Sequence, residues 1–267
     1  MSRMMRYLGT LLVVLISMQA LHGQSDPDRE YLIGDHMKVA PENEDAYIEL
    51  ELGPWKKIHQ ARLDAGLITG WYFYRVRFPA GKNAWHNYVT ITLYKDFEAL
   101  DKGWDFPIAG IDMDMDKLFE KTLKLRDLVC SDAWVTVDFI SNDNPSKYAR
   151  VNYMKPKNGM GNYIETELEV WKPLHQTLVD SGKKSGWGVY VKTLPSGTSL
   201  PFNAAAVDFY DSFAALGAGF GMKDIEAAHP GVTEEGWDAM MDRTMESRDA
   251  VLSEVWELVD SVAAEGD

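Results

Sequence analysis

The stretch YIELELGPWKKIHQARLDAGLITGWYFY at residues 47–74 returns as YIETELEVWKPLHQTLVDSGKKSGWGVY at residues 163–190. Fourteen of the 28 aligned positions are identical, where average residue frequencies would give about two matches. A helix does not need Trp55, Lys56 and His59 merely to fold. The repetition of these residues therefore concerns the architecture, a functional site, or both.

The duplication extends far beyond this stretch, as in proteins that are built from copies of one unit. The same offset of 116 residues aligns Pro79, Gly81, Asn87, Tyr94 and Phe97 with Pro195, Gly197, Asn203, Tyr210 and Phe213. Six extra residues then precede RDAVLSEVW, at residues 248–256, which corresponds to RDLVCSDAW at residues 126–134. The chain therefore consists of two copies of one unit.

Each copy predicts six elements in the order β-α-β-β-α-β, which is the ferredoxin-like arrangement. A short strand at about 31–39 precedes a long amphipathic helix that ends at Gly66, and a strand begins at Trp71. A turn, an alternating strand from Asn87, an interrupted helical region and a strand around Trp134 complete the first copy. We predict units at 30–142 and 148–262, with a linker at 143–147.

Tandem units of this size and order resemble the dimeric α/β-barrel superfamily, which includes NIPSNAP-like proteins, stress-responsive barrels and antibiotic-biosynthesis-type monooxygenases. The pattern W-K-x-[IL]-H-Q followed by G-W-x-x-Y is also similar to that of exported bacterial proteins of unknown function. The resemblance implies an α+β fold in which two sheets face each other as an intrachain pseudo-dimeric barrel. Because this superfamily hosts enzymes, haem binders and proteins without known chemistry, it implies no single activity.

The first 24 residues have the layout of a secretory signal peptide. Arg3 and Arg6 precede an apolar run that is shorter than the roughly 20 residues of a membrane-spanning helix. We therefore expect an exported protein, periplasmic or extracellular, that has no membrane association after cleavage. The formal net charge of −14 argues against nucleic-acid binding. Cys130 is the only cysteine, so no internal disulfide is expected.

An α-helical period divides the repeated helix into two faces. The stripe predicted to pack on the sheet contains Ile48, Leu52, Trp55, His59 and Leu63. A polar stripe predicted to face solvent or a partner contains Glu49, Lys56 and Gln60, with Glu165, Lys172 and Gln176 in the second copy.

His59 and His175 are therefore candidates either for core histidines or for ligand-binding or proton-transfer groups in a helix–sheet cleft. Asn87 and Asn203 are candidate partners for them, although a strand-end amide more often bonds a turn backbone. The predicted ligand-binding set is Trp55, His59, Trp71 and Asn87 in the first copy, and Trp171, His175, Trp187 and Asn203 in the second. The first-copy pocket is expected to be the larger, since Arg62, Trp85 and His86 occur there alone.

No metal site and no cofactor are predicted. The helices contain no metal-binding histidine pair, and His36 and His86 correspond to Tyr153 and Phe202 in the second copy. Three functions stay open. The first is an exported binder of a small apolar or aromatic ligand, and the second is a cofactor-independent monooxygenase or isomerase with His59 or His175 as base. The third is a structural or interaction module without a ligand. The sequence does not settle the oligomeric state.

Overall fold

The computed structural model describes residues 29–102, 113–141 and 146–263. The signal peptide predicted for residues 1–24 lies outside these ranges, as does most of the linker predicted at 143–147. No helix among the described residues is both long and apolar enough to cross a membrane.

The described residues form eight strands, four from each copy. They are β1 Tyr31–Val39, β2 Gly70–Phe78, β3 Tyr88–Tyr94, β4 Arg126–Ser141, β5 Tyr148–Pro156, β6 Gly186–Leu194, β7 Ala204–Tyr210 and β8 Arg248–Ala263. Burial alternates along β1 and β5 because successive side chains point to opposite faces of the sheet, and the pattern shifts at a bulge after His36 and after Tyr153.

The helices of each copy follow its first and third strands. In the first copy they are α1 Glu44–Leu50, α2 Lys56–Asp64, α3 Ala99–Lys102 and α4 Met115–Leu125. In the second copy they are α5 Met160–Thr166, α6 Lys172–Asp180, α7 Phe213–Ala218, α8 Met222–Ala228 and α9 Glu234–Ser247. Gly66 and Gly182 follow α2 and α6 with φ of +67° and +71°, as predicted for left-handed caps.

The strands close into a barrel in the order β1-β3-β2-β8-β5-β7-β6-β4, and every pair is antiparallel. Each copy contributes four adjacent strands, and the two sheets join edge to edge through β2–β8 and β4–β6. The predicted α+β class and the intrachain pseudo-dimeric barrel of ferredoxin-like units are confirmed. The predicted boundaries of the two units stay a prediction.

Both faces of each sheet are apolar, which decides where the functional side chains can lie. The barrel interior is one cluster from both copies, including Leu32, Tyr74, Val89, Trp134, Val151, Tyr153, Val207 and Trp256. The outer faces are covered by the helices, over Tyr47, Trp71 and Tyr88 in the first copy and over Tyr163, Trp187 and Val189 in the second.

A π-helical turn interrupts each long helix, at Glu51–Trp55 and at Glu167–Trp171. A π turn holds more residues than an α turn and therefore shifts the faces of the helix. Leu52, predicted to pack on the sheet, is 38% exposed, while Glu51 is buried. After the turn, Trp55 and His59 are buried as predicted, together with Ile58 and Arg62.

The repeated lysine of the W-K pair connects the two copies. Lys56 on α2 contacts Asp260 on β8 at 2.7 Å, and Lys172 on α6 contacts Asp138 on β4 at 2.6 Å. The predicted outward direction of Glu49 and Gln60 is confirmed, because both are exposed. The polar stripe therefore partly serves the junction between the sheets.

Replacing Lys56 by methionine is expected to lower the free energy of unfolding by less than about 1 kcal/mol, since exposed ion pairs contribute little. The side chains of Lys56 and Asp260 are 38% and 26% exposed. Urea denaturation in low and high salt checks this expectation. A loss of several kcal/mol would show that this pair controls closure of the barrel.

Candidate functional site

The two repeated histidines lie between a long helix and the outer face of a sheet, each against a tryptophan. The ring of His59 stacks on Trp71 with centroids 4.7 Å apart and planes 11° apart. His175 stacks on Trp187 at 4.9 Å and 26°. The structure thus brings together three of the four residues predicted for each copy, because Trp55 and Trp171 also lie within 6.3 Å and 5.9 Å of these histidine rings.

A neighbouring cation fixes the protonation of each histidine. Arg62 Nη1 lies 3.0 Å from His59 Nδ1, and Lys184 Nζ lies 2.8 Å from His175 Nδ1. Because arginine and lysine can only donate, each Nδ1 accepts and the ring proton lies on Nε2. Burial, followed by the charge of Lys184, lowers the pKa of His175 to about 3. Burial and Arg62 likewise lower the pKa of His59 well below its usual value.

The cation comes from a different place in each copy. In the first, Arg62 on α2 is fully buried and donates from Nη2 to Tyr94 Oη at 3.0 Å. In the second, Lys184 lies after α6 and donates to Asp208 Oδ1 on β7 at 2.6 Å. Burial raises the pKa of Asp208 and the Lys184 ammonium lowers it, and the net pKa is below its usual value.

A cavity of about 230 Å³ lies beneath α6 in the second copy. His175, Trp187 and Leu178 line it from the helix and the sheet, and Phe220 lines it from the segment after α7. The expectation that the first-copy pocket is the larger stays a prediction, because residues 103–112 of the first copy lie outside the described ranges. The residue equivalent to Leu178 is Arg62, which is longer and is fully buried in the first copy.

The cavity is lined by more cations than anions. The charged residues in its wall are Arg150, Lys183, Lys184, Arg248, Glu167 and Asp208. Lys184 pairs with Asp208, Arg248 with Glu167 at 2.9 Å, and Lys183 with Asp224 at 2.6 Å.

Arg150 is different from these paired cations. Its guanidinium donates to the Leu216 carbonyl at 2.9 Å and lies 5.9 Å from the centre of the Tyr210 ring. Among the residues that the structure describes, it is the cavity-lining cation for which no carboxylate lies within ion-pair distance. A positive charge is therefore left over for an anion in the cavity.

Asn87 and Asn203 do not belong to the clefts. Asn87 bonds the backbone of Val39 twice, accepting at 2.8 Å and donating at 2.9 Å. The apolar face of β3 that it begins turns into the barrel, whereas His59 lies on the outer face. Asn203 lies outside the wall of the second-copy cavity. The expected pairing with the histidines is wrong because the sheet is apolar on both faces, and the face that carries Asn87 is the one inside the barrel.

Lys184, Asp208 and Arg150 were missed in the sequence. Their first-copy counterparts are Ile68, Thr92 and Ile33, so an apolar or neutral residue is charged in the second copy alone. A positive and a negative residue, Lys184 and Asp208, both replace uncharged residues of the first copy. This joint replacement would have indicated a buried ion pair. That comparison is the signal that could have located the site.

Comparison with known proteins supports the architecture. No family model matches the chain, and no curated protein matches it. A provisionally assigned monooxygenase from Lactobacillus acidophilus NCFM superposes with a TM-score of 0.56 at 12% identity, covering 89% of this chain and 97% of that one. A second such protein, from Fusobacterium nucleatum, gives a TM-score of 0.54 at 10% identity, covering 90% and 96%.

At these identities the likeness concerns the fold alone. Together with the strand order, it defines this protein as a dimeric α/β barrel in which one chain supplies both ferredoxin-like halves.

Proposed function

We propose that this protein binds a small aromatic or apolar molecule carrying one anionic group in the cavity beneath α6. The observation that carries the proposal is the cation-rich wall around the half-buried Arg150 in a protein whose overall charge is −14. Such a local excess of positive charge selects an anion. The rings of Trp171, Trp187 and Phe220 offer the apolar surface for the rest of the ligand.

The size of the cavity limits the ligand. A dry cavity of about 150 Å³ accommodates benzene, and the cavity here has about 230 Å³. A single ring with a carboxylate and a short substituent fits this volume. Pairing of the carboxylate with Arg150 is the kind of charge-assisted contact that fixes an orientation in an otherwise apolar site.

Binding is favoured over acid–base catalysis because of the state of His175. A general base is most effective when its pKa is near the working pH, whereas the pKa of His175 is lowered to about 3. Its Nδ1 lone pair is already used by Lys184. A cofactor-independent monooxygenase or isomerase would therefore lack an effective histidine base in this cavity. In a module without a ligand, Arg150 would serve only its contacts with Leu216 and Tyr210, and its charge would have no anionic partner.

Isothermal titration with benzoate and with its neutral analogue benzyl alcohol tests the proposal. We expect benzoate to bind and benzyl alcohol to bind at least tenfold more weakly. Arg150→Ile introduces the first-copy residue, Ile33, and is expected to weaken benzoate binding by about 10- to 100-fold, since a hydrogen bond to a charged group contributes about 1.5–3 kcal/mol. Lys56→Met, outside the cavity, serves as the control.

Equal binding of the two probes, or unchanged binding by Arg150→Ile, would contradict the assignment of an anion site. Failure of every small aromatic acid to bind would favour the structural module instead. We further propose that binding takes place outside the cytoplasm, which the N-terminal layout supports. An N-terminus that begins at Met1 in protein recovered from its host would contradict export by cleavage.

A further inference from the structure

A cluster of metal-ligating side chains lies inside the barrel, on the opposite side of the sheets from the α6 cavity. His36 on β1 faces Cys130 on β4 in the strand register, and Gly34 faces Asp132. One ligand atom each from His36, Cys130 and Asp132 lie within 4.8 Å of one another. His36 and Asp132 are buried, and Cys130 is half-buried.

Glu254 fixes the hydrogen-bond direction next to this cluster. Its Oε2 receives Trp256 Nε1 at 2.9 Å and lies 3.1 Å from His86 Nε2, while its Oε1 receives Trp85 Nε1 at 3.2 Å. The indole groups can only donate, so Glu254 accepts from all sides. His86 therefore carries its proton on Nε2, and its Nδ1 is an acceptor.

This direction continues to His36. His86 Nδ1 lies 3.2 Å from His36 Nδ1, so His36 donates there and its Nε2 carries the lone pair. A Cβ on Gly34 would lie 3.7 Å from His36 Nε2, so this nitrogen is close to the Gly34 position. Gly34 is opposite Asp132 in the pairing of β1 with β4. The free lone pair is thus directed to the side of the ring where Asp132 lies.

The protein already stabilises positive charge at this place. Lys192 Nζ contacts Asp132 Oδ2 at 2.7 Å, and it lies 4.9 Å and 4.4 Å from the ring centres of Trp134 and Phe202. A metal cation could take the place of the Lys192 ammonium or bind the other carboxylate oxygen of Asp132. In either position it would have a negatively charged ligand and aromatic rings beside it.

We propose that His36 Nε2, Cys130 Sγ and Asp132 bind a divalent transition metal, with Zn²⁺ as the best match. A nitrogen, a sulfur and a carboxylate oxygen are all zinc ligands, and three protein ligands leave a fourth position open. Zinc bonds of about 2.0–2.3 Å place ligand atoms roughly 3–4 Å apart, so small side-chain rotations complete the set. The thiol gives up its proton on binding.

His36 bonds His86, and His86 bonds the carboxylate of Glu254. Hydrogen bonds that connect a metal-binding histidine to a carboxylate in this way orient the ring for the metal. The sequence argued against a metal because His36 and His86 lack counterparts in the second copy. In the structure that asymmetry coincides with the rest of the set, since the counterparts of His36 and Cys130 are Tyr153 and Leu252, neither of which is a histidine or a cysteine.

Titration of the full metal-free protein with Co²⁺, followed by absorption, tests the proposal. A thiolate-to-cobalt charge-transfer band is expected to grow to one equivalent per chain. Because Cys130 is the only cysteine, the band can arise from no other residue. Cys130→Ser is expected to abolish the band, and Asp132→Asn and His36→Tyr to weaken binding. His86→Phe, which copies Phe202, should weaken it 10- to 100-fold while keeping the band.

His229→Gln, directly after α8 and outside both the α6 cavity and the metal-ligating cluster, is the matched control and should titrate like the wild type. Zinc is expected to raise the Tm of the wild type and of the control, but not of His36→Tyr, so a folding defect in one variant is separable from a binding defect. Absence of the band, half an equivalent per chain, or an unchanged titration of His36→Tyr would overturn the proposal.

Discussion

Lys184→Ile is expected to lower the free energy of unfolding by about 3–5 kcal/mol, the cost of removing one partner from a buried ion pair. Lys184 and Asp208 are each 8% exposed. Without the ammonium, Asp208 keeps the amide of Asn152 as a donor at 3.1 Å, and His175 Nδ1 loses the donor that Lys184 provides. Urea denaturation at neutral pH measures the loss.

The first copy supplies the control for this experiment. The first copy has Ile68 and Thr92 at the positions equivalent to Lys184 and Asp208. The double variant Lys184→Ile, Asp208→Thr therefore gives the second copy the same residue types. No buried charge then lacks a partner, and only the donor to His175 is missing, so the loss should fall to about 1–3 kcal/mol. If the double variant is as unstable as the single one, the lysine contributes through its packing and the ion pair has little importance.

Glu51→Gln is expected to remove a pH dependence of stability of about 3 kcal/mol, at 1.36 kcal/mol for each unit of pKa shift. Burial, only partly offset by the Tyr47 hydroxyl and the Arg126 charge, raises the pKa of Glu51 from 4.5 to about 7. Between pH 4.5 and about 7, Glu51 keeps its proton in the native state, whereas the unfolded state has released it. Stability is therefore highest below pH 4.5 and falls as the pH rises through 7.

The measurement is the difference in unfolding free energy between the wild type and Glu51→Gln across pH 5 to 8. This difference should shift in favour of the variant as the pH rises. Glu49→Gln, on the exposed face of the same helix, should show no such trend. A constant difference across this range would mean that Glu51 is ionised throughout and is stabilised by Arg126.

The fold could be predicted because the duplication is visible when the two halves of the sequence are aligned, and the hydrophobic periodicities depend only on neighbouring residues. The alternation in β3 and the caps at Gly66 and Gly182 are set by neighbouring residues, and all were found where expected. The π turns were not predictable from the period alone, because an inserted residue changes the helix phase without leaving a compositional mark. For that reason Leu52, predicted to pack on the sheet, is exposed, and the neighbouring Glu51 is buried.

The site was predicted only in part. The stacking of His175 on Trp187 follows from the repeated motif, but the pair Lys184–Asp208 depends on which strand face is covered by the helix. The cluster of His36, Cys130 and Asp132 depends on the register between two strands some 90 residues apart, which local patterns do not encode. Contacts of this kind require the closed barrel and were therefore beyond the sequence.

Native mass spectrometry of the protein purified from its own host tests the central claim, the anion site beneath α6, most directly. The wild type is predicted to carry a small acidic molecule that dissociates on activation, and Arg150→Ile is predicted to appear at the mass of the chain alone. A wild type without an adduct, or an adduct kept equally by Arg150→Ile, would contradict the account.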